Sequence, residues 1–268
     1  MTIDTSISKG SDEGIVLAGY SLTELMRNAT FSEIVFLLLA GRKPTAAEAR
    51  LTDAILVSCS DHGLNAPSSH IARASASCGV PLATAVATGI ASIGIHHGGA
   101  GEACARALQE ALLAGKGGNE GGNEDEGDLA RIAEHLLDDW LGQGRNLPGY
   151  GHRVYKDADP RAVLLLGMAA DLGLSGRHCD LARVLEPRLG ARKGKRLVLN
   201  VDGAQAAILS DLGVPWNRVQ SFFIIGRSLG LCAQVLEELV SGQALAYIKA
   251  SPAAQNYVGP DSREWSAP

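Results

Sequence analysis

The chain has 268 residues, of which 46% are hydrophobic and 20% charged, and its formal net charge is −5 at pH 7. This composition is that of an ordinary globular protein with room for one or two domains. The negative charge argues against a nucleic-acid partner, because binding nucleic acid requires a broad basic face.

The five cysteines lie far apart in the sequence and form no C-x-x-C pair, a distribution typical of reduced thiols in the cytoplasm. The N-terminal residues are polar and lack the apolar core of a signal peptide. No stretch approaches the ~20 apolar residues that cross a bilayer. We therefore expect a soluble cytoplasmic protein without a membrane partner.

Helix signals begin with two capping boxes. Thr30 with Glu33, and then Thr45 with Glu48, place a hydroxyl three residues ahead of a glutamate, which predicts two helix N-termini. Residues 81–94 start with a proline and are rich in small residues, which predicts a buried central helix. Residues 100–113 are predicted to be helical as well.

The glycine- and asparagine-rich residues 116–127 are predicted to form a surface loop. Helical patterns return at 129–141 and after Asp159-Pro160, where aspartate caps and proline occupies the first turn. Residues 196–201 form a short strand-like run. Residues 216–240 are predicted to form a long apolar helix with a break near Gly226. The chain is thus predicted to be mainly α-helical.

Reactive side chains are concentrated in four glycine-containing segments, which read SDHG, HHGG, PGYGHR and LNVDG in chain order. Glycine beside histidine lets the backbone approach a ligand closely. An imidazole at the positive end of a helix dipole stays neutral and can donate to an enolate oxygen, and His97, just before a helix, is placed for this role. Asp202 is a candidate for the carboxylate that moves a proton on carbon.

These motifs, together with residues 19–45, GRSLG at 226–230 and YVGP at 257–260, resemble the citrate synthase superfamily, most closely its citryl-CoA lyases and the lyase domain of ATP-citrate lyase. The resemblance implies an all-α fold with a large helical domain (residues 1–98 and 218–268) and a small one (residues 99–217). It also implies a homodimer or higher homo-oligomer. The substrates would be a coenzyme A thioester and a 2-oxo acid, with no permanently bound cofactor and no metal.

The resemblance also assigns roles to residues. His152 is expected to polarise the keto-acid carbonyl and to assist in removing the hydroxyl proton during cleavage, Asp202 to exchange the methyl proton of acetyl-CoA, and His97 to bind the thioester oxygen. The expected keto-acid contacts are His62, Arg161 and Arg227. The expected coenzyme A contacts are Leu147, Pro148, Gly149, Tyr150, Gly151, Lys193 and Lys195.

The resemblance predicts reversible cleavage of citryl-CoA to acetyl-CoA and oxaloacetate. The chain lacks the N-terminal extension of full-length citrate synthases, as the lyases do, but it keeps the synthase-like His97. Where synthases carry an arginine before a proline near the C-terminus, this chain has Ser251-Pro252, with Lys249 nearby. The alternatives are condensation of acetyl-CoA with oxaloacetate or another 2-oxo acid, and a non-catalytic homologue that binds a coenzyme A ester.

Three residue assignments have plainer alternatives. Asp202 followed by Gln205 also fits a helix N-cap with a capping box. His96 rather than His97 could point inward. The basic residues 192–196 could be a solvated turn rather than a phosphate site.

Overall fold

The structure is a computed structural model of the chain and describes residues 3–12, 14–116 and 126–245. Most of the loop predicted at 116–127 lies outside these ranges. So do the YVGP motif and the C-terminal residues Lys249, Ser251 and Pro252.

The described residues confirm the mainly α-helical fold. Three short strands form one antiparallel sheet in the order β1-β2-β3: β1 (Ser8–Ser11), β2 (Gly14–Leu17) and β3 (Tyr20–Ser21). The α-helices are α1 (Leu22–Asn28), α2 (Phe31–Ala40), α3 (Ala46–Cys59), α4 (Pro67–Ser77), α5 (Leu82–Ala91), α6 (Ala100–Lys116), α7 (Glu126–Gly142), α8 (Pro160–Asp171), α9 (Arg177–Lys193), α10 (Val201–Asp211) and α11 (Val219–Ser241). A 3₁₀ turn, Trp216–Arg218, precedes α11.

The sheet lies within residues 8–21, where no strand was predicted, and the strand-like run at 196–201 does not form a strand. In the sheet, Ser8 pairs with Leu17 and Val16 with Ser21. Residues 196–201 contribute only an isolated bridge between Tyr150 and Leu199. This apolar run leads directly into α10. It is therefore too short to pair with a second strand, and it makes a single bridge to the loop before α8.

Both predicted capping boxes are confirmed. The backbone N–H of Glu33 donates to Thr30 Oγ1 at 3.3 Å, and the Thr30 N–H donates to Glu33 Oε2 at 2.7 Å. Thr45 and Glu48 repeat the arrangement at the start of α3. Each box satisfies two N–H groups that a helix N-terminus leaves without a partner.

The predicted break near Gly226 is wrong, because α11 runs without interruption from Val219 to Ser241. The two glycines of GRSLG serve close packing instead. A Cβ at Gly226 would lie 2.5 Å from the Leu56 carbonyl oxygen, and one at Gly230 would clash with the Ser60 carbonyl oxygen. Helix α11 therefore touches the backbone at the end of α3 and at the start of the SDHG segment.

Residues Trp216–Ser241 are long and apolar enough to cross a membrane, contrary to the expectation that no such stretch exists. In the structure this segment packs against α3, α4 and α5, and it buries Phe222, Leu231 and Val235. It also carries the buried Arg227. These contacts are those of a core helix.

Helix α5 is not the buried central helix that its small residues predict. Within one chain it buries only Ala85 and Gly89. The buried face lies against α4 and α11, where a Cβ on Gly89 would meet Ala72 and Ser68 at 2.9 Å. The opposite face, with Leu82, is open in the single chain.

Helix α10 is the central helix instead. It buries nearly every residue from Val201 to Ser210 and packs against α6, α8 and α9. Asp202 stands in its first turn and is therefore attached to the most enclosed helix of the described chain. The division into a large and a small domain stays a prediction.

Candidate active site

Six predicted site residues come together: five lie at the ends of four helices, and the sixth, Arg227, lies within α11. His62 follows α3, His97 precedes α6, and His152 lies in the loop before α8. The His62 and His152 rings are 5.9 Å apart between centroids, in an edge-to-face arrangement. Electrostatic interactions link His62 to Arg161 and Arg227, and Asp202 to the same two arginines.

The tautomer of His152 is fixed by the backbone. Its Nδ1 accepts hydrogen bonds from the N–H groups of Val154 and Tyr155, both at 3.1 Å. A neutral imidazole that accepts at Nδ1 carries its proton on Nε2. The Tyr155 ring stacks on the imidazole at 4.6 Å and holds its plane.

A second donor lies beside the Nε2–H of His152. Arg161 Nη2 is 3.3 Å from this nitrogen, and a guanidinium can only donate. Because His152 Nε2 and Arg161 Nη2 are both hydrogen-bond donors and lie side by side, an acceptor atom placed next to them could bind to both. A carbonyl, alkoxide or carboxylate oxygen fits this requirement.

His97 has the opposite tautomer. Its Nε2 accepts from the backbone N–H of Ser68 at 3.3 Å and lies 2.8 Å from Ser68 Oγ, so its proton is on Nδ1. Ser68 is in the first turn of α4, so the helix N-terminus that faces this imidazole belongs to α4 and not to the following α6. The positive end of α4 disfavours a second proton.

The structure also distinguishes the two adjacent histidines. The His97 ring packs edge-on against Phe223 with 6.0 Å between centroids, whereas His96 is exposed. His97 is therefore the one that lies against α4 and α11.

All three candidate histidines have a lowered pKa. Burial is the largest cause for His62, His97 and His152, because it disfavours the charged ring. The charge of Arg227 lowers the pKa of His62 and of His97 further. Neutral imidazoles at pH 7 act as hydrogen-bond donors through the single N–H that each retains.

Asp202 is not the helix cap, so that alternative is wrong. Asn200 caps α10, and its Oδ1 accepts from the N–H groups of Asp202 and Gly203 at 3.0 and 3.1 Å. Gln205 does not complete a capping box either, because its amide donates to Ser58 and Cys59. The Asp202 carboxyl group is thereby left for other chemistry.

The pKa of Asp202 is raised. Burial is the main cause, and the charges of Arg161 and Arg227 oppose it, whereas that of Asp159 adds to it. A carboxyl group with a raised pKa holds a proton more readily and is a stronger base when ionised.

Asp159 connects Arg161 to α10 and was recognised from the sequence only as a cap. It is fully buried, and it accepts from the backbone N–H and the guanidinium of Arg161 at 2.9–3.0 Å. It also accepts from the N–H of Val201, the first residue of α10, at 3.0 Å. One carboxylate thus fixes Arg161 relative to the helix that carries Asp202.

Arg227 is only 4% exposed and points into the site from α11. Its Nε donates to the Cys59 carbonyl at 2.9 Å, and its guanidinium lies 5.0 Å from the centroid of the Phe223 ring. Among the described residues, its Nη1 has no hydrogen-bond partner. A buried donor without a partner is costly, so this atom suits an anionic ligand.

The predicted coenzyme A residues lie in a second region. Lys195 and Arg196 line a cleft of about 560 Å³ at the C-terminal end of α9. Lys193 occupies the last turn of α9 and is not part of the lining. The basic residues of this turn make ion pairs, since Arg192 contacts Glu134 and Asp138.

The loop Leu147, Pro148, Gly149, Tyr150 and Gly151 is tied to the residues before α10. Gly149 O accepts from the Asn200 N–H at 3.0 Å, and the Gly151 N–H donates to Val198 O at 2.7 Å. The Tyr150 hydroxyl donates to Ala182 O. These groups hold the loop beside the cleft, which leaves its remaining backbone groups for a ligand.

Among residues 3–12, 14–116 and 126–245, no group of three or more His, Cys, Asp and Glu side chains is arranged to hold a metal ion. The five cysteines are unpaired, and Cys59, Cys104 and Cys179 are buried.

In sequence, the chain is similar to citrate synthases. The family description "Citrate synthase, C-terminal domain" matches residues 39–248. Citrate synthase of Helicobacter pylori is 34% identical over 240 residues, covering 85% of this chain and 50% of the relative. The "Putative citrate synthase 2" of Mycobacterium tuberculosis is 32% identical over 225 residues, covering 82% of this chain and 54% of the relative. The chain thus spans about half the length of the curated relatives that it matches.

Solved structures extend the similarity to lyases. Citryl-CoA lyase from Hydrogenobacter thermophilus superposes with a TM-score of 0.86 and 37% identity, covering 99% of this chain and 98% of that one. ATP citrate lyase from Methanothrix soehngenii, in complex with citrate and coenzyme A, shares the fold with a TM-score of 0.82 and 23% identity, covering all of this chain and 43% of that one. With the matched family description and these relatives, the chain belongs to the citrate synthase family.

Proposed function

We propose that the chain cleaves citryl-CoA, or a close 3-hydroxyacyl-CoA, to acetyl-CoA and oxaloacetate, and that it catalyses the reverse condensation. The observation that carries this proposal is one cluster that combines two neutral histidines of fixed tautomer with a carboxyl group of raised pKa. The similarity to a citryl-CoA lyase structure supports it.

The keto-acid end of the substrate would lie between His152, Arg161, His62 and Arg227. The Nε2–H of His152 and Arg161 Nη2 would both donate to the oxygen that alternates between carbonyl and alkoxide. Arg227 Nη1 would bind a carboxylate. His152 already accepts two backbone hydrogen bonds at Nδ1, so these contacts favour stabilisation of the alkoxide over acceptance of the hydroxyl proton.

The acetyl end would lie between His97 and Asp202. In the condensation direction, ionised Asp202 removes a methyl proton while the Nδ1–H of His97 donates to the thioester oxygen of the enolate. In the cleavage direction, the substrate hydroxyl group loses its proton to water, and His152 and Arg161 stabilise the resulting alkoxide. The C–C bond then breaks to give the keto group and the enolate, and protonated Asp202 returns its proton to the enolate carbon. In the condensation direction, water returns the proton to the alkoxide. The raised pKa of Asp202 suits both directions.

Coenzyme A would extend towards the cleft at the end of α9. Lys195 and Arg196 line this cleft and are the cations that we propose for the phosphates, whereas Lys193 stands outside it. The loop at Leu147 to Gly151 would contact the adenine through its backbone. No resident cofactor is required for these steps.

Citrate synthase activity is the second candidate, because the curated relatives at 32–34% identity are citrate synthases. The two reactions differ in hydrolysis of the thioester. Acetyl-CoA and oxaloacetate incubated with the enzyme should give citryl-CoA without net release of thiol. Steady release of free coenzyme A would instead show a synthase.

A non-catalytic homologue would bind acetyl-CoA without exchanging its methyl hydrogens for deuterium, even with oxaloacetate present. We expect exchange, which proton NMR detects.

We further propose that the chain works as a homodimer in the cytoplasm, without nucleic-acid or membrane partners. Three helices that pack together, α4, α5 and α11, carry the exposed apolar residues Ile71, Leu82 and Leu236. A second copy of the chain would cover these residues and the open face of α5. Sedimentation analysis tests the assembly, and an active monomer would contradict it.

A further inference from the structure

The SDHG segment is anchored by the side chain of Asp61. Its carboxylate accepts from the Gly63 N–H at 3.0 Å, from Ser69 Oγ at 3.2 Å and from Gln234 Nε2 at 3.0 Å. Ser69 is fully buried on α4, and Gln234 is on α11. The segment is therefore fastened to two helices at the residue before His62.

His62 depends on this anchor. Among the described residues, its ring makes no hydrogen bond, and its ring contact is the edge-to-face one with His152. The direction of the ring is thus determined by the backbone at Asp61 and His62.

The amide of Gln234 can face Asp61 in only one orientation. Arg73 Nη1 donates to Gln234 Oε1 at 2.9 Å, and a guanidinium cannot accept. The NH₂ group of Gln234 therefore points to Asp61 and not away from it.

Arg73 is itself held firmly on α4. It is 9% exposed, and it donates to Glu238 Oε2 at 3.0 Å and to Glu237 Oε2 at 2.6 Å, both on α11. The same helix carries Arg227 and, at Gly230, touches the Ser60 carbonyl. Helix α11 thus sets the position of Arg227 directly and that of His62 through Gln234.

We propose that Gln234, oriented by Arg73, is a positioning residue. It holds the His62 ring at a fixed position relative to Arg227, as keto-acid binding requires. The kinetic part of this inference rests on the proposed function, while the structural part does not.

Two variants test it. Gln234→Glu keeps the shape but replaces the donor that faces Asp61 with an acceptor, and Gln234→Leu removes both amide groups. We expect the KM for oxaloacetate to rise about fivefold, the size of one ordinary hydrogen bond, because the contact between Gln234 and Asp61 is exposed to solvent. The kcat and the KM for acetyl-CoA should stay unchanged, because His152, His97 and Asp202 are held by other contacts.

Gln109→Glu is the matched control. Gln109 also bridges separate elements, since its amide donates to Ser210 Oγ and Val214 O and accepts from the Trp216 N–H. This variant should lower the melting temperature without changing the KM for oxaloacetate.

NMR of protein labelled with ¹⁵N in histidine gives a readout that does not need turnover. In both Gln234 variants the ring signals of His62 should move, and those of His178 should not. Arg73→Lys should move the His62 signals in the native background and add nothing in Gln234→Leu, because Arg73 acts through Gln234.

Unchanged His62 signals in both Gln234 variants would overturn the proposal, as would an equal displacement in Gln109→Glu. If the native protein shows neither lyase nor synthase turnover, the proposed function fails, while the NMR comparison still decides whether Gln234 positions His62.

Discussion

The two halves of the candidate site are held by contacts of different range. The α8–α10 half consists of His152, Arg161 and Asp202, and the α4–α11 half consists of His62, His97 and Arg227. In the α8–α10 half, His152 is fixed by backbone groups two and three residues further along the chain. Arg161 is fixed by Asp159, two residues before it.

In the α4–α11 half the contacts join distant parts of the chain. Ser68 is 29 residues from His97, and Gln234 is 173 residues from Asp61. Arg227 reaches the Cys59 carbonyl across 168 residues. The positions of these side chains follow from helix packing and not from a local turn.

This difference implies different responses to substitution. The α8–α10 half should keep its geometry until the few bonds that join its loop to α10, among them the one between Asp159 and Val201, are broken. The α4–α11 half should respond to any change in the spacing of α4, α11 and the end of α3. The four substitutions that follow test this contrast, beginning with the largest expected effect.

Asp202→Asn removes the reacting carboxylate of the α8–α10 half without moving its neighbours. Turnover should fall about 10³-fold, within the range of general acid–base catalysis. Because burial raises the pKa of Asp202, its ionised form destabilises the native protein above that pKa. The variant should therefore be more stable than the native protein at neutral pH, in urea denaturation.

Asp180→Asn is the control, since Asp180 also stands in the first turn of a helix but is exposed. It should keep full turnover. A loss below tenfold in Asp202→Asn would remove Asp202 from the mechanism.

Asp159→Asn removes the carboxylate that joins Arg161 to Val201 within the α8–α10 half. Loss of one partner of a buried ion pair should cost about 3 kcal/mol in the free energy of unfolding. Because Asp159 also fixes Arg161, the KM for oxaloacetate should rise.

The pKa of Asp159 determines how its contribution to stability changes with pH. Burial would raise the pKa of Asp159, but hydrogen bonds from Arg161 outweigh it and hold the pKa below its ordinary value. The contribution of Asp159 to stability is thus fully present above the unfolded pKa of about 3.9 and is lost as pH falls through the lower folded pKa. Urea denaturation at several pH values should show the two proteins converging in acid, and a constant difference would contradict this assignment.

Gly230→Ala tests the α4–α11 half by packing alone. The added methyl group would clash with the Ser60 carbonyl oxygen, so α11 and the SDHG segment must separate. We expect a loss of about 2 kcal/mol in stability from overpacking, and weaker binding of oxaloacetate.

Gly167→Ala on α8 is the matched control, because a Cβ there meets nothing within 4 Å. It should raise stability by about 0.5–1 kcal/mol, as expected for alanine in place of glycine in a helix. Equal stability changes in the two variants, measured by denaturation, would show that contact with Ser60 is unimportant.

The same contrast in range explains what the sequence could predict. The helical class and both capping boxes follow from local patterns, whereas the resemblance of short motifs pointed to His152, Arg161 and Asp202. The capping role of Asp159 was predicted, but its bond to Val201 was not, because 42 residues separate them.

Other errors have the same origin. Gly226 was predicted to break α11 because the reason for its glycine, close contact with the Leu56 carbonyl of α3, lies far away in the sequence. The small residues of α5 predicted a buried helix, whereas in the single chain only Ala85 and Gly89 are buried, against α4 and α11, which are distant in the sequence or carry no pattern that marks the contact. Ser69, Arg73 and Gln234 carry no motif signal at all.

Ser68→Ala gives the smallest expected effect and separates the two contacts that fix His97. The hydroxyl contact at 2.8 Å is lost, but the Ser68 N–H still donates to Nε2 and keeps the proton on Nδ1. Methyl exchange of acetyl-CoA should slow about fivefold, consistent with one ordinary hydrogen bond. Ser77→Ala, which removes a hydroxyl that bonds only to the backbone of α4, should leave exchange unchanged. A loss as large as that in Asp202→Asn would mean that the hydroxyl group, and not the N-terminus of α4, sets the tautomer of His97.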